Sequence, residues 1–223
     1  GAVRWKGGHE VAGYAAPMVG TVLGVRQVVN FMADAAIGFD AQSGRVLWRY
    51  PLKTAFARHV MTPLIVNDRV ILGSHQTGLM SLRFTREGER WSVTEVWNSK
   101  EAAPNFSCPI VVDDRIVGLG AQREVVCIGV DDGKIRWTQS GWITSAADKS
   151  HAGFIAVGST SALMLSDGGE LILFDAGGTA CREIGRAQVA GVNWCNPALS
   201  NGRLYLRDGL RNAGHWMCVD LTR

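Results

Sequence analysis

Apolar and polar residues alternate along most of this chain with a period of two, in short runs broken by turn residues. Residues 64–74, "LIVNDRVILGS", read as two β-runs around Asn67-Asp68, and residues 198–206, "ALSNGRLYL", place Asn201-Gly202 at the same point. Both central residues of such a tight hairpin need positive φ, which Asn, Asp and Gly tolerate. A third run ends in an apolar residue plus Asp, at Phe39-Asp40, Phe174-Asp175 and Val219-Asp220. A turn follows, and then a fourth run that in most units ends in Trp. No stretch keeps a 3.6-residue period with capping residues, so the pattern predicts strands throughout and no sustained α-helix.

The runs recur as a unit. Trp5, Trp48, Trp97 and Trp137 fall 43, 49 and 40 residues apart. Pro17, Pro63 and Pro109 each precede an apolar run at spacings of 46 and 46, and Pro197 follows 88 residues later. Four short strands repeating about every 44 residues are the signature of propeller blades. The predicted fold is therefore all-β, a β-propeller of four-stranded antiparallel blades, about five in this chain. The chain opens on a fourth run, "GAVRW", and ends after a third. Residues 1–6 are accordingly expected to form a strand completing the last blade, which would make residues 1–223 one closed, monomeric five-blade domain. The same pattern is expected of five blades belonging to a ring of seven or eight.

Composition narrows the functional classes. The net charge of +3 comes from 18 Arg and 5 Lys against 20 acidic residues. The Arg are scattered rather than gathered into a tract, which argues against a nucleic-acid binder. The longest apolar runs fall far short of the roughly 18 residues of a membrane span. Five Cys show no CxxC spacing, so no zinc site is expected, and their odd number leaves at least one thiol outside any intramolecular disulfide. No signal-peptide pattern is present, so location cannot be read from the residues alone.

The segment Asp40–Trp48, "DAQSGRVLW", resembles the repeat of the pyrroloquinoline-quinone (PQQ)-like propellers; residues 129–137, "GVDDGKIRW", and 175–185, "DAGGTACREIG", are degraded copies, the last without Trp. The resemblance runs over nearly the whole chain. It implies structural roles for Asp40, Asp175 and Asp220, for Gly44 and Gly133 in tight turns, and for Trp5, Trp48, Trp97 and Trp137 stacked between blades with each indole N–H bonded to the next blade. It also implies a periplasmic or secreted bacterial protein. Quinoprotein dehydrogenases of this type hold PQQ with calcium, and some place two adjacent Cys above the quinone; no Cys-Cys pair occurs here.

No nucleophile, zinc or phosphate-loop motif stands in the sequence, and no catalytic residue is assigned. The segments expected to crowd one face of the blades are instead rich in polar and aromatic side chains. Arg58, His59, His75, Asn105, Trp142, Lys149, Asn193 and Trp194 are the candidate ligand-binding residues. Convergence of such groups from several blades builds a binding face on a rigid scaffold. Each has a plainer role open to it: a solvated charge, a turn closed by a side-chain amide, or an indole filling the core. The sequence favours a non-catalytic scaffold that binds a protein partner or a small ligand, with no cofactor and no metal. The alternative is a PQQ- and calcium-dependent oxidoreductase that grips an anionic ligand.

Overall fold

The computed structural model describes residues 1–209 and 214–222. Among them are nineteen strands, β1 (Met18–Val22) to β19 (Trp216–Asp220), and a single 3-10 turn at Ala147–Lys149. The chain divides into two compact units, Gly1–Ala103 and Pro104–Arg223.

In the first unit, β1, β2 (Val25–Phe31), β3 (Ala35–Asp40) and β4 (Val46–Pro51) form one antiparallel meander, and β5 (Leu64–Val66) to β8 (Arg90–Ser99) form a second. The two sheets bury a common core in which Val29, Phe31 and Trp48 meet Val70, Leu72, Leu82 and Phe84. In the second unit, β9 (Ile110–Val112) to β12 (Ile135–Gln139) and β13 (Ala152–Val157) to β16 (Arg182–Gln188) are again four-stranded, and β17 (Ala198–Ser200), β18 (Arg203–Arg207) and β19 make a three-stranded sheet. Val117, Cys127 and Trp137 pack on Met164, Ile172 and Phe174. The opposite face of the β13–β16 sheet packs Leu163, Leu165 and Leu171 on Leu204 and Leu206. Five blade-like sheets match the predicted period.

Local chemistry sets these strands. Asn67 and Asp68 take φ of 49° and 56°, and Asn201 and Gly202 take 51° and 71°, the conformation a two-residue hairpin turn demands. β18 alternates exposed Arg203, Tyr205 and Arg207 with buried Leu204 and Leu206, as a strand with one wet face should. The inner strand β11 (Val125–Gly129) is buried at every position. Each four-stranded sheet also slips register once between its third and fourth strands, at Gly38/Phe39, Ser81/Leu82, Cys127/Ile128 and Leu173/Phe174. The residue left over sits just before the fourth-strand Trp in three of the sheets, and such a bulge re-aims the side chain beside it.

Within the first unit, residues 1–6 take no strand conformation. What the segment does is lay Trp5 on the first sheet. The indole stacks on Phe39 at 6.1 Å and donates its N–H to the Ala41 carbonyl at 3.2 Å. Gly44, at φ 73°, leaves the space the ring fills. Burial of the indole explains why these residues hold that place without strand conformation.

Candidate functional site

The repeat residues come first, because they position everything else. Asp40 closes its turn by accepting from the Ser43 amide and hydroxyl, each at 2.8 Å, and from the Gln42 amide. Asp175 and Asp220 do the same for Gly177 and Thr222. These hydrogen bonds hold the Asp40 carboxyl below its ordinary range, led by the Ser43 amide. Gly44 and Gly133 take φ of 73° and 65° in the following turn. Trp137 donates to the Ala176 carbonyl of the neighbouring sheet at 3.2 Å, as the repeat implies. Trp48 departs from that expectation: its N–H bonds Gln27 of its own sheet at 2.6 Å while its ring meets Phe84 of the next sheet at 4.7 Å. Trp97, at the same bulge in β8, is half-buried.

Of the candidate binding residues in the first unit, His59 is buried and already spent. Its Nδ1–H donates to the Met32 carbonyl at 2.6 Å, its Nε2 faces the Thr54 hydroxyl, and its ring stacks on Phe31 at 4.1 Å. It is a tie between loops. Arg58 lies over the exposed ring of Phe56 at 5.3 Å and reaches His75 Nε2 at 3.4 Å. Burial, and then the charges of Arg58 and His59, lower the His75 pKa, so the ring stays neutral against the guanidinium.

In the second unit Asn193 is fully buried, its amide bonded to the Ser166 and Gly191 carbonyls and to the Cys195 N–H. Trp142 fills the core against Phe174 at 5.3 Å, with Arg186 above it. The structure does bring three candidates into one loop cluster. Asn105 donates to the Asp148 carbonyl at 2.6 Å, Lys149 is the exposed neighbour of Asp148, and Trp194 stacks on Phe106, next to Asn105, at 5.1 Å while 46% exposed. Asn105 Oδ1 is buried without a partner.

Two residues that sequence reasoning missed organise this cluster. His151, 3% exposed, sets its two ring nitrogens against the carbonyls of Phe106 and Cys195, at 2.9 and 3.2 Å. It thereby ties together the strand-leading loops of three successive sheets. Asp167 is fully buried and accepts from the Thr144 amide and hydroxyl and from the Ser145 amide at 2.7 Å. Burial pushes its carboxyl up, but these hydrogen bonds outweigh that and hold it below the ordinary value. His75, Asp167 and Asp208 follow the second strands of their sheets, and each reaches the loop that leads into its own sheet, at Arg58, Thr144 and Gly191. The signal for this was present as "SH", "SD" and "RD" directly after a second strand.

A quinone held by calcium would need several oxygen donors free to converge on one point. Among the described residues no group of three His, Cys, Asp or Glu side chains could hold a metal ion. The buried oxygens of Asp167 and Asn193 are committed to backbone amides and the Thr144 hydroxyl, and the unpartnered Asn105 Oδ1 is a single donor atom. These residues do not fit such a group. The five cysteines form no disulfide.

A family profile described as outer membrane protein assembly factor BamB matches residues 1–139. The chain is similar in fold to BamB from Moraxella catarrhalis, with a TM-score of 0.62 and 19% identity over 92% of this chain and 60% of that one. It is also similar to the quinohemoprotein alcohol dehydrogenase ADHIIG from Pseudomonas putida HK5, with a TM-score of 0.58 and 13% identity over 96% of this chain and 39% of that one. The chain thus spans less than two thirds of either structure. No curated protein sequence matches it.

Proposed function

The chain belongs to the BamB-like family of PQQ-type repeat propellers, and from that premise we infer that it is a non-catalytic scaffold whose loops bind a protein partner. One observation carries the reading: His59, His151, Asp167 and Asn193 are spent on ties between loops and strands, while aromatic rings remain exposed on the same loops. Phe56 is 69% exposed under Arg58, and Trp194 is 46% exposed against Phe106. Trp and Arg are among the side chains that dominate binding energy at protein interfaces. The matched family is described as an assembly factor for outer membrane proteins, which makes a component of that process in the bacterial periplasm the partner class to test.

The competing reading is a quinone-dependent oxidoreductase, which the second similar structure brings to mind through its fold alone. Two measurements separate them. A photo-crosslinking residue placed at Phe56 or Trp194 should capture an outer-membrane assembly component in cells, and the Trp194→Ala protein should lose that partner at least tenfold. Reconstitution with PQQ and calcium should give neither quinone absorbance nor dye-linked oxidation of alcohols. Turnover in the second experiment, or unaltered capture by the Ala variant, overturns the scaffold reading.

A further inference from the structure

Asn201 is the asparagine of this chain that a glycine follows; the others precede Phe, Asp, Ser, Trp, Pro or Ala. The pair forms the two-residue turn between β17 and β18, with Asn201 at φ 51° and Gly202 at φ 71°. Ser200 and Arg203 close the turn as ladder partners, which leaves the Gly202 amide nitrogen outside the ladder. Asn201 is exposed, as are Asn67, Asp68, Asp113 and Asp114 in the corresponding turns of the second and third sheets. Exposure of this turn thus comes with its place in a blade and needs no open sheet face.

Other asparagines are worse placed for chemistry between a side-chain amide and the next backbone nitrogen. Asn105 and Asn193 are buried, with their amides committed to backbone carbonyls. Asn196 precedes Pro197, whose nitrogen carries no proton. Asn67 shares the turn geometry, but Asp68 follows it and accepts from the Leu23 amide at 2.7 Å. A Cβ on the following residue shields the attacking nitrogen, and only glycine lacks one.

We propose that Asn201 is a modification site, converted without an enzyme to isoaspartate and aspartate. Hydroxide takes the proton of the Gly202 amide, and the nitrogen attacks Cγ of Asn201. An N–Cγ bond forms, the bond from Cγ to the side-chain nitrogen breaks, and that nitrogen leaves as ammonia. Water then opens the cyclic imide. Cleavage at Cγ gives aspartate; cleavage at the backbone carbonyl carbon gives isoaspartate, whose main chain runs through Cγ. Nothing is oxidised or reduced, and water is the co-reactant. A tight turn restrains the swing of the Gly202 nitrogen onto Cγ, but β17 has only three residues, and so short a pairing frays.

Isoaspartate lengthens the turn by a methylene. The flanking partners Ser200 and Arg203 have no slack for it, because the Gly202 carbonyl accepts from the Leu221 amide at 2.9 Å and a Cβ at Gly202 would already collide with the Thr222 methyl. Conversion therefore loosens the three-stranded sheet. The site is independent of the loop scaffold argued above and stands or falls separately.

Incubation of the folded chain at mildly alkaline pH, followed by proteolysis and mass spectrometry, tests it. The peptide holding Asn201 should show the mass change of an amide-to-acid conversion, at a rate at least about tenfold above that of the Asn67 peptide. Labelling with an isoaspartyl-specific methyltransferase should mark the larger share of that product. Asn201→Gly supplies a glycine pair suited to the same turn; it should keep the β circular-dichroism spectrum and leave this peptide unlabelled. Aged wild-type protein should lose urea midpoint, and Asn201→Gly aged beside it should not. Fresh Asn201→Asp, which adds the charge without the longer backbone, should keep the midpoint of fresh wild type. An unconverted Asn201, a rate no higher than at Asn67, or a converted protein with the fresh midpoint would each overturn the proposal.

Discussion

Asp167 shows how much a single side chain does here. Its carboxylate is sealed from solvent and satisfied by three donors from Thr144 and Ser145, so the ionised form belongs to the folded state. Because its folded pKa is lowered, its stabilising contribution is fully present above the ordinary aspartate value of 3.8 and is lost as pH falls through the folded value. Asp167→Asn should therefore be markedly less stable than wild type at neutral pH, with the gap narrowing in acid. Urea midpoints measured at neutral pH and at about pH 3 check this, and a gap independent of pH would contradict it. Taken by itself, Asp167 before two glycines reads as an ordinary turn; only its place after a second strand, shared with His75 and Asp208, marks it. The same limit applied to His59 and Asn193, polar loop residues whose partners Met32 and Ser166 lie 27 positions away. A single sequence registers that a side chain can bond. It does not register which distant backbone group has already claimed it.

At the level of the strand, the third and fourth strands of each blade show why one glycine is required and another is not. Gly38 lies under the Trp48 indole, and a Cβ there would collide with Trp48 Nε1 and with the Gln27 oxygen that holds it. Gly185 takes the position of Trp in the fourth sheet, and a Cβ there would meet nothing within 4 Å. Gly38→Ala should accordingly cost about 1–3 kcal/mol by overpacking. Gly185→Ala should gain about 0.4–1 kcal/mol by restricting the unfolded chain. Paired denaturation curves decide both, and a neutral Gly38→Ala would mean the indole has room to move. The loss of Trp from residues 175–185 was legible in the sequence; its consequence, a strand β16 exposed along its whole length, was not. The bulge preceding each fourth-strand Trp was equally invisible, because it depends on pairing between strands rather than on the residues of one.

For the molecule as a whole, burial ranks the five thiols. Cys218 is exposed on β19, whereas Cys127 is fully buried in the core between two sheets of the second unit. Burial pushes the Cys127 thiol up to about 11, and burial with the nearby Cys127, Glu183 and Asp175 pushes Cys181 up to about 12. Since only the thiolate is nucleophilic, both should resist alkylation at pH 8 while Cys218 reacts first. Timed iodoacetamide labelling with peptide mapping reads the order directly, and early modification of Cys127 would show that the interface between its sheets opens. Protection from hydrogen exchange should follow the same gradient, highest in β11 and lowest in β16 and β17.

The period of apolar residues, the hairpin pairs Asn67-Asp68 and Asn201-Gly202 and the spacing of the Trp anchors sufficed for the all-β blades, because strand formation, turn geometry and repeat length are set by residues close together in the chain. The fate of residues 1–6 and the ties made by His151 and Asp167 belong to the tertiary structure. Each depends on which surface a side chain meets after the sheets have assembled.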